Sequence, residues 1–349
     1  MAIQNSGGFL SAKVTAIYDR MLLTRAVDNQ VWDMFGQAKT VPAGSNTKKG
    51  FAYRYKNILP ATTPLAEYDG TVKGANKIVR EEVEYAVGHY GDYIIYTDEL
   101  DLYDYDNIQS SFMDILGDQA DMTVETIRRD VLRGGTNVIY ANGAVSRLAM
   151  VDAEVASAGD GLAVLNDFKI AALKLKKQRG RKFKKVIAGT VKVGTTPIRS
   201  AYIGVISPEV TEDYRGLDKW KDVEDYADYS KSINEDEVGA LGDFRFVESY
   251  NNDPVEQVAT DTETYNVYLT ILMAMDAYAT TTLRGKGGIK SITKPLGSAG
   301  AADPLDQYGT IGWKAITGAA ILNEAWLIRM EQMVSLEDST EKHYYDYTV

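Results

Sequence analysis

The sequence predicts an α+β fold in an extended subunit. Three features carry that prediction: one apolar stripe of helical period runs from about residue 106 to 133, an alternating two-stranded ribbon precedes it, and tyrosine outnumbers phenylalanine 23 to 8. At 1.5 Å per residue the helix is about 40 Å long. So long a helix directly after a long ribbon suits an extended molecule better than a compact catalytic globule. Tyrosine packs its ring while its hydroxyl stays wet, so its excess favours broad protein contacts over a deep apolar core.

The elements follow in order. Val14, Ile17, Tyr18, Met21 and Leu22, then Val27, Val31 and Phe35, keep helical spacing over residues 11 to 35, with Gly36 as the stop. Gln37 to Gly50 reads as a Gly/Ser/Lys-rich linker. Phe51, Tyr53 and Tyr55 alternate with Arg54 and Lys56, which predicts a strand with one apolar face, and LPATTPL with Pro60 and Pro64 breaks it. Val83, Tyr85 and Val87 alternate on the return, giving a hairpin over roughly residues 51 to 96. A two-stranded ribbon is marginal alone in water, so it must lean on a partner, and another copy of the chain is the natural one.

Asp106 or Asn107 caps the long helix, whose stripe is Ile108, Phe112, Ile115, Ala120, Val124, Ile127 and Val131, ending at Gly134-Gly135. A second helix is expected near Asp167 to Gln178, a strand in AYIGVISPEV from Ala201, and a charged, tyrosine-rich surface excursion from Asp213 to Glu237. Phe244 and Phe246 mark another strand. In WLIRME, Trp326, Ile328 and Met330 alternate with Leu327, Arg329 and Glu331 as a last strand.

Composition narrows the function. A net charge of −11 argues against a protein that wraps nucleic acid, because phosphate binding draws on many clustered cations. With no cysteine there is no disulfide framework and no thiolate chemistry. No uninterrupted apolar stretch is long enough to span a membrane, and the first residues lack a basic region followed by an apolar core, so a soluble, unsecreted protein is expected.

The candidates for chemistry are few. With His89 and His343 the only imidazoles, a histidine-based triad is disfavoured, and His89 in VGHYGDY reads as a polar strand-end residue. Asp98, Glu99, Asp101, Asp104 and Asp106 could gather around a hard cation, but they lack the glycine and terminal glutamate of a calcium loop and read as a solvated acidic turn. The run KLKKQRGRKFKK, Lys174 to Lys185, offers either a phosphate or acidic-partner contact or the solvated C-terminal end of a helix, and the second is favoured. GSAGAAD, from Gly297, lacks the lysine and hydroxyl of a phosphate loop and is followed by Pro304 and Asp306, so it reads as a turn region with glycines for positive φ. No catalytic, cofactor-binding or metal site is expected.

A series of blocks then points to a family: LLTRAVDNQVWDMFGQ, LPATTPL, VGHYGDYIIYTDELDL, GDQADMTVETIRRDVLRGGTNVIYANG, DFRFVES and ITKPLGSAGAADPLDQYGTIGWKAITGAAILNEAWLIRME. In this order they resemble the major capsid proteins of tailed bacteriophages, in the branch typified by coliphage N-four, over most of residues 20 to 332. The hairpin tip, KGANKIVREEVEYAV, and the tyrosine-rich tail depart from that pattern. The resemblance implies the tailed-phage and herpesvirus capsid fold, also called the Johnson fold. It divides the chain into an N-terminal arm (1–50), an extended hairpin loop (51–96), a peripheral domain with a spine helix (97–150), a mainly axial domain (151–265), return strands of both domains (266–336) and a tail (337–349).

It further implies a shell subunit that catalyses nothing and forms hexamers and pentamers around double-stranded DNA without reading its sequence. Portal and scaffold proteins, and possible decoration proteins, would be its partners, with no membrane involved. The virion would be its location, after assembly in the host bacterial cytoplasm. The alternatives are an encapsulin-like compartment enclosing enzyme cargo and, from another class, a carboxylate-based hydrolase.

Overall fold

The computed structural model describes residues 30–44, 47–56, 58–60, 62, 77–103, 108–151, 161–187, 193–225, 232, 236–259, 264–285, 287–298 and 303–335. The helix expected over 11 to 35 lies mostly outside them. Its end is present as a single turn, α1 (Val31–Met34), followed by β1 (Gln37–Val41). The ribbon strands are β2 (Lys49–Tyr55) and β3 (Arg80–Ala86). Then come β4 (Gly88–Thr97), α2 (Asp98–Tyr103), the long helix α3 (Ile108–Arg133) and β5 (Val138–Tyr140). The middle of the chain forms α4 (Arg147–Val151), α5 (Leu165–Lys177), β6 (Phe183–Ile187), β7 (Val193–Ile206) and α6 (Pro208–Arg215). Strands complete it: β8 (Trp220–Asp222), β9 (Glu237–Leu241), β10 (Phe244–Glu248), β11 (Glu256–Ala259), β12 (Thr264–Met273), β13 (Tyr278–Leu283), β14 (Ile289–Lys294), β15 (Tyr308–Ile321) and β16 (Leu327–Gln332).

Two sheets organise the molecule. The larger runs β5-β16-β12-β7-β10-β9-β8, with β11 added on β12 and β6 on β7. Strand alternation sends Tyr202, Phe244, Phe246, Leu272, Ile328 and Met330 to one face, where they meet Phe168 of α5 and Tyr214 of α6. It sends Ile203, Val205, Ile271, Met273 and Leu327 to the other, against Leu132 of α3 and against Trp32 and Phe35 in residues 30–35, here called the arm root. A sheet buried on both faces explains why β16 does not separate apolar from polar residues. Leu327 is buried as well as Ile328, and the fully buried Glu331 is held by Arg147 at 2.5 and 2.9 Å. The expected surface excursion also changes at its start, since Tyr214 lies in the core with its hydroxyl 2.7 Å from both Thr270 and Gln332.

The smaller sheet is β1-β13-β15-β14, with β4 paired to β15. Two expectations are corrected here. Gln37 to Val41 is no linker: it pairs in parallel with β13, an addition that backbone hydrogen bonds make without any apolar pattern. The ribbon pairing ends at Ala86, and Gly88–Thr97 pairs along β15 instead. Gly91 permits that register, because a Cβ there would stand 2.5 Å from the Trp313 carbonyl oxygen.

Helix α3 bridges the two sheets, and its rotation differs from the predicted stripe. Against the smaller sheet its buried apolar residues are Met113, Leu116, Ala120 and Val124, packed on Tyr96, Ile311, Trp313 and Ala315, and Leu132 is buried against the larger sheet. Ile115 is exposed, and Ile127 and Val131 are only half-buried. Further along, the buried face is polar: Asp121, Glu125, Arg128 and Arg129. Arg129 donates to Asn251 Oδ1 at 2.6 Å and to Asp253 Oδ2 at 2.7 Å, and Asn252 Nδ2 donates to the Leu269 carbonyl at 2.8 Å, which ties the helix to the larger sheet.

The same polar face seats the arm root. Glu125 Oε1 accepts the Trp32 N–H at 3.0 Å, Arg128 donates to Gln30 at 3.0 Å and pairs with Asp33 at 3.2 Å, and the Tyr278 hydroxyl donates to the Trp32 carbonyl at 2.7 Å. Burial pushes the Glu125 carboxyl well above its ordinary value of 4.5, against the pull of Arg128 and the Trp32 N–H, with Asp121 and Asp33 pushing the same way as burial. A carboxyl raised in the folded state stabilises fully below its unfolded value, and that contribution is lost as pH rises through the folded value. Glu125→Gln keeps the accepting oxygen without the charge. Its melting temperature should exceed that of the parent at about pH 8 and match it at about pH 4, read by circular dichroism.

Candidate assembly surface

The ribbon carries a row of exposed aromatic side chains, and its register shows which residues share each face. Register pairs Phe51 with Glu84, Tyr53 with Glu82 and Tyr55 with Arg80 on one face; Gly50 with Tyr85, Ala52 with Val83 and Arg54 with Glu81 share the other. The second face roots the ribbon: Tyr85 packs over Gly50, where a Cβ would stand 2.5 Å from its ring, and joins Val41, Val87 and Ile316. The first face points away from the subunit, leaving Phe51, Tyr53 and Tyr55 at 50%, 53% and 63% exposure. Arg80 lies 4.3 Å over the Tyr53 ring, and Lys49 bridges to Glu84 at 2.5 Å. A row of exposed aromatics on a ribbon with no third strand among the described residues marks a surface made to be covered.

A second uncovered surface lies on the smaller sheet, opposite α3. Ile94 and Tyr96 face the helix, so Tyr93 and Ile95 face outward. Tyr93 and Ile292 share a row across Gly312, and a Cβ at Gly312 would stand 2.6 Å from the Tyr93 Cβ. Exposed Lys290, Lys294 and Lys314 surround this row. The outer edge of β4 carries no further strand among the described residues.

The structure scatters the residues weighed for chemistry. His89 is an exposed residue of β4, opposite Ile316. Asp98, Glu99 and Asp101 belong to α2, where Asp98 accepts the Glu99 N–H at 2.9 Å; Asp104, Asp106 and His343 lie outside the described residues. Among the described residues no group of three or more potential ligands is placed to hold a metal ion. The GSAGAAD segment joins β14 to β15: Gly297 has φ of 80°, Ser298 donates back to the Pro295 carbonyl at 3.1 Å, and Asp303 accepts the Tyr308 N–H at 2.9 Å. Its two described ends turn, as the composition predicted, and residues 299–302 lie outside the described residues.

The basic run covers the end of α5 and the start of β6, and it is more than a solvated helix end, because Lys176 and Lys182 both pair with Asp243. These partners are not fully buried, and Lys177 and Lys184 are exposed. Changing Lys176, Lys177, Lys184 and Lys185 to Gln should therefore cost about 1 kcal/mol or less in a thermal melt and leave assembly intact.

An arm root, a ribbon, and a long helix bridging two sheets are the elements of the capsid-subunit fold of tailed phages. No family model matches the sequence, and no curated protein matches it; the likeness lies in shape. The capsid of Ralstonia phage GP4 superposes with a TM-score of 0.62 at 10% identity, over 90% of this chain and 93% of that one. The capsid of cyanophage P-SCSP1u gives 0.55 at 13% identity over 87% and 88%, and the mature capsid of bacteriophage PhiM1 gives 0.54 at 10% over 87% and 88%.

Proposed function

We propose that this chain is the major capsid protein of a tailed, double-stranded DNA phage: a structural subunit that builds an icosahedral shell from copies of itself and catalyses no reaction. The observation that carries the reading is the outward stripe of Phe51, Tyr53 and Tyr55 on a ribbon its own subunit leaves uncovered. A neighbouring copy supplies the cover. The row of Tyr93, Ile95 and Ile292 is a second uncovered apolar surface, and that face of one copy receives the ribbon of the next around hexamers and pentamers.

A net charge of −11 suits a shell that is assembled first and filled afterwards, since a coat that condenses on its genome draws on clustered cations. The finer reading places the protein in the branch of coliphage N-four, supported by the sequence blocks above. Arm, extended loop, peripheral and axial domains follow the divisions given there. Portal and scaffold proteins, with possible decoration proteins, are its partners, and the virion is its destination after assembly in the host cytoplasm.

Negative-stain microscopy of the expressed chain tests the class. Icosahedral particles or capsomer rings are expected, and a small discrete oligomer would overturn the reading in favour of a soluble enzyme. DNA inside particles purified from infected cells separates a virus from a compartment, in which a folded enzyme would copurify instead.

A further inference from the structure

Beside the arm root the basic run borders a cavity of about 580 Å³ that the assembly surface does not use. Phe35 and Phe183 meet edge to face in its wall, with ring centroids 5.9 Å apart, and Met34 and Met275 line it as well. Methionines fill irregular space and adapt to whatever side chain enters. Arg181 and Lys184 stand exposed at its rim, whereas Lys182 is drawn to Asp243 and Asp276 is the one acidic lining residue. The site is therefore an apolar hollow with a cationic mouth. It fits an aromatic, acidic peptide.

We propose that residues 336–349 of this chain dock there, with a tyrosine ring in the hollow and carboxylates against Arg181 and Lys184. The segment LEDSTEKHYYDYTV holds Tyr344, Tyr345 and Tyr347, and its carboxylates Glu337, Asp338, Glu341 and Asp346 stand against Lys342 as its one full cation. Tyrosine is the side chain that most readily anchors in such pockets. Residues 1–29, which lead into Met34 and Phe35 in sequence, carry Lys13, Arg20 and Arg25 against Asp19 and Asp28, so the cationic mouth disfavours them. Ser335, where the described chain ends, is held by Asp213 of α6, and the 14 further residues reach up to about 50 Å from it. The proposal does not depend on the shell reading, because it concerns a contact each folded chain can make.

The test uses the full chain with p-benzoylphenylalanine in place of Tyr345, irradiated and mapped by mass spectrometry. Adducts on peptides holding Met34 or Met275 are expected. Arg181→Glu with Lys184→Glu should lower their yield about tenfold, with an unchanged circular dichroism spectrum. The probe at Tyr347 repeats the test from a second position. Mixing isotopically light and heavy chains tells whether the segment comes from its own chain or a neighbour, and either result supports docking in this cavity. Adducts confined to other peptides, to residues 1–29 or to other proteins, or a yield indifferent to charge reversal, would overturn the proposal. So would the lack of any adduct from both positions.

Discussion

Changing Phe51, Tyr53 and Tyr55 together to Thr should leave a folded, soluble subunit that no longer closes shells. The three rings are at least half exposed in the subunit, and Thr retains strand propensity, so each change should alter subunit stability by about 0.5 kcal/mol or less. Covering the exposed half or more of each ring by a neighbour is worth about 1 kcal/mol of apolar burial. Every copy in a closed shell repeats the contact, so the loss is multiplied through the assembly. Replacing residues 58 to 82 by a short glycine-containing turn should act the same way, because it removes Arg80, Glu81 and Glu82 of β3 and leaves the Tyr85 root. Sedimentation velocity paired with circular dichroism reads both variants. Normal particles would show that the ribbon is dispensable, and an unfolded chain that it belongs to the subunit's own core.

The second large effect is expected at Val124, where Asp should prevent soluble expression. Val124 is 2% exposed and packs in the cluster of Ile311, Trp313 and Ala315 between α3 and the smaller sheet. An unpaired carboxylate there costs several kcal/mol, a large share of the about 5–15 kcal/mol that holds a domain together. Ile115→Asp, on the same helix at 59% exposure, should instead melt within a few degrees of the parent. Ile127→Asp, which the apolar stripe alone would rank with Val124, should fall between them because Ile127 is half-buried. A Val124→Asp chain melting at the parent temperature would sink this placement of the buried face.

These two sites show what a sequence reading reaches. The long helix was legible from Ile108 to its end at Arg133, because its period repeats over many turns, while the expected cap at Asp106 or Asn107 lies outside the described residues. Its rotation was not, because the reading followed apolar residues while the second half of the buried face is Asp121, Glu125, Arg128 and Arg129. The i, i+3 and i+4 spacing of these residues with Val124 was the available signal. It becomes meaningful only with the partners, and Asn251 and Asp253 lie more than a hundred residues further on.

By itself the sequence determined the order and kind of the main elements: the ribbon strands, the long helix, the second helix, Phe244 with Phe246, the closing strand and the bend at Gly297. Each rests on local spacing or turn chemistry, which neighbours along the chain decide. Tertiary structure alone decided that β1 is a strand, that β4 leaves the ribbon for β15, and that Tyr214 is core. It also decided that Phe51, Tyr53 and Tyr55 point outward. Period two tells which side chains share a face but says nothing of what lies against that face, and here the apolar face turns away from its own subunit.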